Sequence, residues 1–259
     1  MSTPTLAPLT LATMTTVEAA AAVTASPLVI LPAGALEQHG TGLPLGTDTV
    51  RAEHVAQLVA QRLDGGAVIG PTIPVGVSPH HMGFAGTVTL TTSTFATLVR
   101  EYVDSLHAHG WRRFLVITGH GGNGAALSTV AQDLLTARPD VEFAWTPLTP
   151  LAAGVVADMA VSEVHGHSGE AETAQMLALA PHLVHPDRLT AGTTRRAELD
   201  PLSALARRPG APNLTVRYDR LAPTGVLGDP RRATATDGLA IVEAIVEAIT
   251  AFATDWLKT

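Results

Sequence analysis

The sequence predicts an α/β fold, a single domain built on a mostly parallel sheet flanked by helices. Three observations carry that expectation. In the first, the apolar run Arg113-Phe114-Leu115-Val116-Ile117 feeds directly into Thr118-Gly119-His120-Gly121-Gly122-Asn123-Gly124 and then into a helical pattern. The second is an earlier unit of the same kind. Leu28-Val29-Ile30-Leu31, bounded by Pro27 and Pro32, leads into a glycine-rich loop and another helical pattern. The third is composition: 259 residues, 46% hydrophobic and only 15% charged, describe a globular chain long enough for a sizeable core. No internal repeat or compositional shift divides the chain, so residues 1–259 are taken as one domain with an irregular arm at 1–15.

In order, an Ala-rich helix is expected at 16–25 and a buried strand at 28–33. Thr47 or Asp48 is suited to cap a helix over 49–63, with Val50, His54, Val55, Leu58, Val59 and Leu63 on its apolar side and Gly65-Gly66 ending it. Ala67-Val68-Ile69 begins a short strand, and Gly86 to Leu90 reads as another. Phe95, Leu98, Val99, Tyr102, Val103 and Leu106 recur at helical spacing and predict a helix over 92–110. The strand at 113–117 and the helix at 125–137 are followed by a strand at 141–145. An Ala/Val-rich helical stretch at 151–161 is placed to cover a site. A further helix, capped by Ser168 or Gly169, runs to Leu179. Residues 181–216 have weak periodicity and read as a long loop region. The last helix runs from about Arg232 to Trp256, with Leu239, Val242, Ile245, Val246, Ile249 and Phe252 as its buried face.

Composition also excludes functions. The formal net charge is −7 and there is no basic run or aromatic-basic stripe, so a nucleic-acid binder is not expected. There are no cysteines, which removes disulfides, thiolate metal sites and a Cys nucleophile. The N-terminus lacks the charged start and apolar core of a signal peptide, and no run of about 18 apolar residues would span a membrane. A cytoplasmic location is the expectation. The low charge fraction suggests a surface partly buried in an oligomer.

The chemistry concentrates in three stretches. In Leu31 to Val50, Glu37, His39 and Asp48 lie within twelve residues, in a loop that Gly40, Gly42, Pro44 and Gly46 allow to bend back. Carboxylate and imidazole suit Zn²⁺, Mn²⁺ or Fe²⁺, and the three could serve one ion or two adjacent ions. Solvated or capping roles are the alternative. His120 stands at a strand end, where side chains point into the crevice of such sheets. Gly121 and Gly122 let backbone approach a ligand there, and their N–H groups are suited to an oxyanion. The turn matches neither phosphate-binding glycine motif, so a phosphate cradle is rejected. Of His80-His81 at most one is expected to face a site, because neighbours in a strand point to opposite sides; His81 is assigned as a substrate contact. The third stretch offers His165, His167, Glu170 and Glu172, with helix capping as the other use of the two glutamates. Asp229 is read as the cap before Pro230. Arg51, Arg112 and Arg113 are scattered and form no phosphate clamp.

Together, LPAGALEQHGTGLPLGTDT, HHMGFAGTVTL, TGHGGN, HSGEAETAQML and TGVLGDPRRATATDG resemble the creatininase (creatinine amidohydrolase) family in its order along most of the chain. The resemblance implies a two-metal hydrolase and a homo-oligomer, commonly a hexamer. It implies that Glu37 and His120 hold one ion, His39 the second, and that Asp48 bridges them. Creatinine-hydrolysing members carry a carboxylate where this chain has Gly122, which puts creatinine itself in doubt. Glu172 is then implied as the compensating ligand or base, and His167 as the acid/base or orienting residue. The reading is a metal-dependent amidohydrolase with two divalent ions per subunit, zinc foremost and manganese or iron alternatives. Its substrate would be a small amide, cyclic or N-formyl, with Glu172 or His167 moving the proton. The alternatives are a creatininase-family peptidase of a peptide-derived, mycofactocin-like redox cofactor pathway, and a non-catalytic metal-binding protein on the same fold.

Overall fold

The computed structural model describes residues 10–259. Its centre is a four-stranded, all-parallel sheet of β1 (Leu28–Ala33), β2 (Ala67–Ile69), β3 (Arg113–Thr118) and β4 (Glu142–Pro147), in the order β2-β1-β3-β4. The central strands are buried on both faces, which is why they read as continuous apolar runs rather than alternating ones. Leu28, Ile30, Leu115 and Ile117 pack on one side with α2 (Thr47–Arg62) and α9 (Ala235–Trp256). Val29, Leu31, Phe114 and Val116 pack on the other with α3 (Thr92–Ala108) and α4 (Gly124–Ala137), and Ala22 of α1 (Thr16–Ala25) joins them.

This topology creates the site. After β1 the chain crosses by α2 to β2, outward in one direction. After β3 it crosses by α4 to β4, outward in the other. The carboxyl ends of the adjacent strands β1 and β3 therefore open a crevice between diverging connections, where open α/β sheets bind ligands. The loop at 34–46 leaves β1 there, and His120 leaves β3.

Several expected elements are corrected. Gly86 to Leu90 is not a strand: Val88 forms one isolated antiparallel bridge with Leu36. Thr87 Oγ1 accepts from Gln38 N and Thr89 Oγ1 from Ser78 N, so the segment straps the site loops instead of extending a sheet. Neither Thr47 nor Asp48 caps α2; Gly46 is the N-cap, Thr47 Oγ1 donates to Pro44 O, and Asp48 turns into the crevice. On α9, Leu239 and Phe252 are 61% and 52% exposed, because the face on the sheet follows Gly238, Ile241, Ile245, Ile249 and Ala253. The stretch at 151–161 contains a 3-10 turn, Thr149–Ala152, and a short helix α5 (Ala153–Asp158). Of the expected arm, residues 1–9 lie outside the described residues, while Leu11–Thr13 form a 3-10 turn. The loop region contains α7 (Pro201–Ala206), and α8 (Tyr218–Leu221) follows it. α6 (Glu170–Leu179) starts as expected after Gly169.

Candidate functional site

The β1 loop folds back on itself: Glu37 N–H donates to Leu45 O, and α2 then begins beneath it. This brings Glu37, His39 and Asp48 against His120, all four less than 5% exposed. His120 Nδ1 lies 3.2 Å from Glu37 Oε1 and 3.3 Å from Asp48 Oδ2. His39 Nε2 lies 3.4 Å from Asp48 Oδ1 and 3.8 Å from Glu172 Oε2. Asp48 thus turns one oxygen to each histidine. Donor atoms of Glu37, His39 and His167, of Glu37, His80 and His120, and of His39, Asp48 and Glu172 form three groups, each within 4.8 Å.

Two backbone carbonyls aim the rings. His39 Nδ1–H donates to Glu37 O at 3.1 Å, leaving Nε2 for the cluster. His120 Nε2–H donates to Val77 O at 3.0 Å, leaving Nδ1. Oriented this way, metal-binding histidines present a fixed lone pair. Both Glu37 carboxylate oxygens, His39 Nε2 and Asp48 Oδ2 are buried and make no hydrogen bond among the described residues. Buried carboxylates left like this are costly, and a divalent cation satisfies them. The donor set fits the ions expected from the sequence.

The electrostatics follow from crowding. Burial alone would lower the His39 pKa, but Asp48, with Glu172 and Glu37, raises it to about 9. His120 is likewise raised, against burial, by Asp48 and Glu37. Burial would raise Asp48, and the two histidines hold it well below the usual carboxylate range. Burial keeps His81 and His167 neutral and lowers His80 to about 4.

Arg51, set aside in the sequence reading, is part of this site. It is 1% exposed, with Nη1 2.7 Å from Glu172 Oε1 and 3.3 Å from Asp48 Oδ1. Nε and Nη2 both donate to Gln175 Oε1 at 3.1 Å, and Nη2 donates to Thr149 Oγ1 at 2.8 Å. The signal available was its place one turn after Asp48 on a helix. Glu172 is gripped at both oxygens, since Oε2 accepts from Ser168 N–H at 2.7 Å.

Above this floor lies a cavity of about 590 Å³. Its floor holds Glu37, Asp48, His120 and Glu172, and Gly121 and Gly122 line it beside His120. Pro150, Ala153, Val156, Ala157 and Val161 form an apolar wall, so the 151–161 stretch does cover the site. A second, ring-rich part of the lining carries His80, His81, His167 and Tyr218. The expectation that only one of His80-His81 faces the site is corrected: the pair sits in a 3-10 turn, Pro79–His81, and both rings line the cavity. His165 lines it too. Glu170 does not. Its Oε1 accepts from Ser162 N and Oγ and from Asp229 N, tying two loops together. Asp229 caps the following turn, accepting from Arg231 N. Tyr218 and Gln38 were missed: Tyr218 lies on a one-turn helix just past the weakly periodic 181–216 region, and Gln38 lies unmarked between Glu37 and His39. At Gly122 a Cβ would fall 2.2 Å from His120 Nε2 and 2.3 Å from Val77 O, so this backbone has no room for a carboxylate there.

Residues 12–253 match the family described as Creatininase, creatinine amidohydrolase. The chain is 37% identical over 231 residues to the mycofactocin precursor peptide peptidase of Mycobacterium tuberculosis, covering 86% of this chain and 82% of that protein. It is 29% identical over 181 residues to the creatinine amidohydrolase of Pseudomonas putida, covering 62% and 68%. A candidate creatinine amidohydrolase from Bacteroides fragilis has the same fold, with a TM-score of 0.83 at 22% identity over 98% of both chains. Solved creatininases of this fold include a manganese form and a zinc–zinc form.

Proposed function

This chain belongs to the creatininase family, and on that premise we propose that it is a metal-dependent amidohydrolase cleaving a C–N amide bond in a small substrate, cyclic or N-formyl. One observation carries the reading: the buried, unpaired donor atoms of Glu37, His39 and Asp48 meet His120 and Glu172 on the floor of an open cavity. Glu37, Asp48 and His120 would hold one divalent ion and His39, Asp48 and Glu172 a second, zinc foremost, with manganese or iron as alternatives. Such ions acidify a water and polarise a carbonyl.

The chain's own residues supply the rest. Burial would raise the Glu172 pKa, but Arg51 beside it keeps the carboxylate ionised, which suits a ligand better than a proton carrier. His167 is held neutral by burial, and its Nδ1 faces Glu37 Oε1 at 3.5 Å. It takes the proton of the attacking water and passes it to the leaving nitrogen as the C–N bond breaks. The products are a carboxylic acid and an amine, joined in one ring-opened molecule when the amide is cyclic. Backbone N–H groups at Gly121 and Gly122 are suited to the developing oxyanion, and His81 to contact with the substrate. The apolar wall at α5 takes the flank of the amide. Family resemblance also supports a homo-oligomer, hexameric. Among the described residues no helix is long and apolar enough to cross a membrane.

A second reading applies the same chemistry to the end of a precursor peptide. The 37% identical mycobacterial relative favours it, and about 590 Å³ leaves room beyond one small ring. Both readings are tested by assaying creatinine, an N-formyl amine, a cyclic imide and a short peptide, with added zinc or manganese and after chelation. Turnover of a small amide that chelation abolishes and metal restores is expected. Cleavage of the peptide alone selects the second reading. Metal binding without turnover of any amide, or turnover indifferent to chelation, contradicts both.

A further inference from the structure

The Gln38 side chain, 5% exposed, sits among the histidines of the cavity wall. Two backbone groups that each play a single role orient its amide. Gly40 N–H donates to Oε1 at 3.0 Å, and Gly225 O accepts from Nε2 at 2.9 Å. Nε2 carries two hydrogens. It also lies 3.0 Å from His81 Nδ1 and 3.0 Å from His167 Nε2. His167 Nε2 is itself 2.7 Å from the backbone carbonyl oxygen of Gln38. That oxygen only accepts, so His167 Nε2 must carry a hydrogen. It then cannot accept from the amide, and the second amide hydrogen goes to His81 Nδ1.

The protons on both rings are thereby assigned. His81 keeps its hydrogen on Nε2, 3.5 Å from Glu37 Oε1. His167 keeps its hydrogen on Nε2, and its bare Nδ1 lies 3.5 Å from the same oxygen. Two rings with centroids 4.4 Å apart thus present opposite functions to one point, an N–H from His81 and a lone pair from His167. The chain keeps space for this arrangement. Gly225 has φ +79°, and a Cβ there would fall 1.9 Å from Gln38 Oε1.

We propose that Gln38 is a positioning residue that makes His81 a hydrogen-bond donor toward the substrate amide and leaves His167 as the acceptor opposite it. The role toward a substrate rests on the amidohydrolase reading; the ring protons themselves do not. His81 donates to the carbonyl oxygen or the leaving nitrogen, and His167 accepts from water, so neither ring need change tautomer before the reaction starts.

The test is long-range ¹H–¹⁵N correlation of the zinc-loaded protein labelled at histidine, with His81→Asn and His167→Asn used for assignment. Both rings of the wild type are expected as Nε2–H tautomers. In Gln38→Glu the amide donor becomes an acceptor, so His81 is expected to move its proton to Nδ1, while His167, held by a backbone carbonyl, stays as it was. The same variant is expected to lose roughly 10²-fold in kcat, with KM and zinc per chain unchanged. If Gln38→Glu does not melt cooperatively, Gln38→Met serves, with His81 expected as a mixture of tautomers. An Nδ1–H His81 in the wild type overturns the assignment, as does a His81 tautomer unchanged in a folded Gln38 variant. Wild-type protein with the expected tautomers that hydrolyses no amide overturns the substrate role and the amidohydrolase reading, and leaves the ring assignment standing.

Discussion

The floor and the walls of the cavity are built in different ways. Most of the floor hangs from the carboxyl ends of β1 and β3, two central strands buried on both faces, with Glu172 added from α6, and its rings are aimed by backbone carbonyls. The walls come from short pieces outside the sheet: α5, the turn at Pro79–His81, the segment around His167, and α8 with Tyr218. The proposed ion-binding geometry, which would tolerate little displacement, rests on the rigid part. The surface proposed to meet a substrate rests on elements that can differ in length and composition without disturbing the sheet.

If that division holds, changes to the floor cost stability and metal together, and changes to the wall cost neither. Arg51→Met should show the largest effect. It leaves Asp48 and Glu172 as buried carboxylates without their shared counter-charge, which is expected to cost ~3–5 kcal/mol, read by chemical denaturation of the metal-free protein. A loss below about 1 kcal/mol would show the guanidinium to be dispensable there.

The dependence on pH sharpens the same contrast. In the metal-free protein the His39 pKa is raised from 6.5 to about 9. Its contribution to stability is therefore complete below 6.5 and disappears as the pH rises through about 9. Asp48 is held well below 3.8, so its contribution is complete above 3.8 and is lost as the pH falls through its lower folded value. His80, His81 and His167, held neutral by burial, add stability that is lost as the pH falls below 6.5, so the metal-free melting temperature should peak near pH 6.5. With ions bound, His39 must stay unprotonated and the stability should instead rise with pH through 6.5. Parallel profiles with and without metal would separate His39 from the ion site.

The smallest effect on stability is expected at the wall. Ala157→Phe, on the exposed side of α5, should change stability by less than about 0.5 kcal/mol and leave metal content intact. It should shift kcat/KM for the preferred amide by about tenfold through lost pocket space. Loss of metal in this variant would mean that wall and floor are one unit.

The same division explains what could be read from the sequence. Glu37, His39 and His120 were legible because each lies just beyond a strong apolar strand run, and Asp48 because the glycine-rich loop after β1 can bend back to the same point. The walls were less so. Tyr218 reaches the cavity from a one-turn helix just past the weakly periodic 181–216 region. At most one of His80 and His81 is expected at the site when strand alternation is applied to a loop pair, whereas the 3-10 turn at Pro79–His81 turns both inward. Arg51 was passed over since an arginine on a helix is normally a solvated residue, and only the meeting of α2 with α6 buries it. Leu239 and Phe252 show the reverse error, apolar residues near helical spacing that lie off the buried face of α9.

The central claim is that Glu37, His39, Asp48, His120 and Glu172 form a two-ion floor with Asp48 shared. Elemental analysis of zinc and manganese per chain, after metal loading and exhaustive dialysis, tests it most directly in the wild type and in Asp48→Asn. Two ions per chain in the wild type, with at least one lost in a folded Asp48→Asn, is the predicted result. A wild type that retains no metal, or an Asp48→Asn variant that retains as much as the wild type, would contradict it.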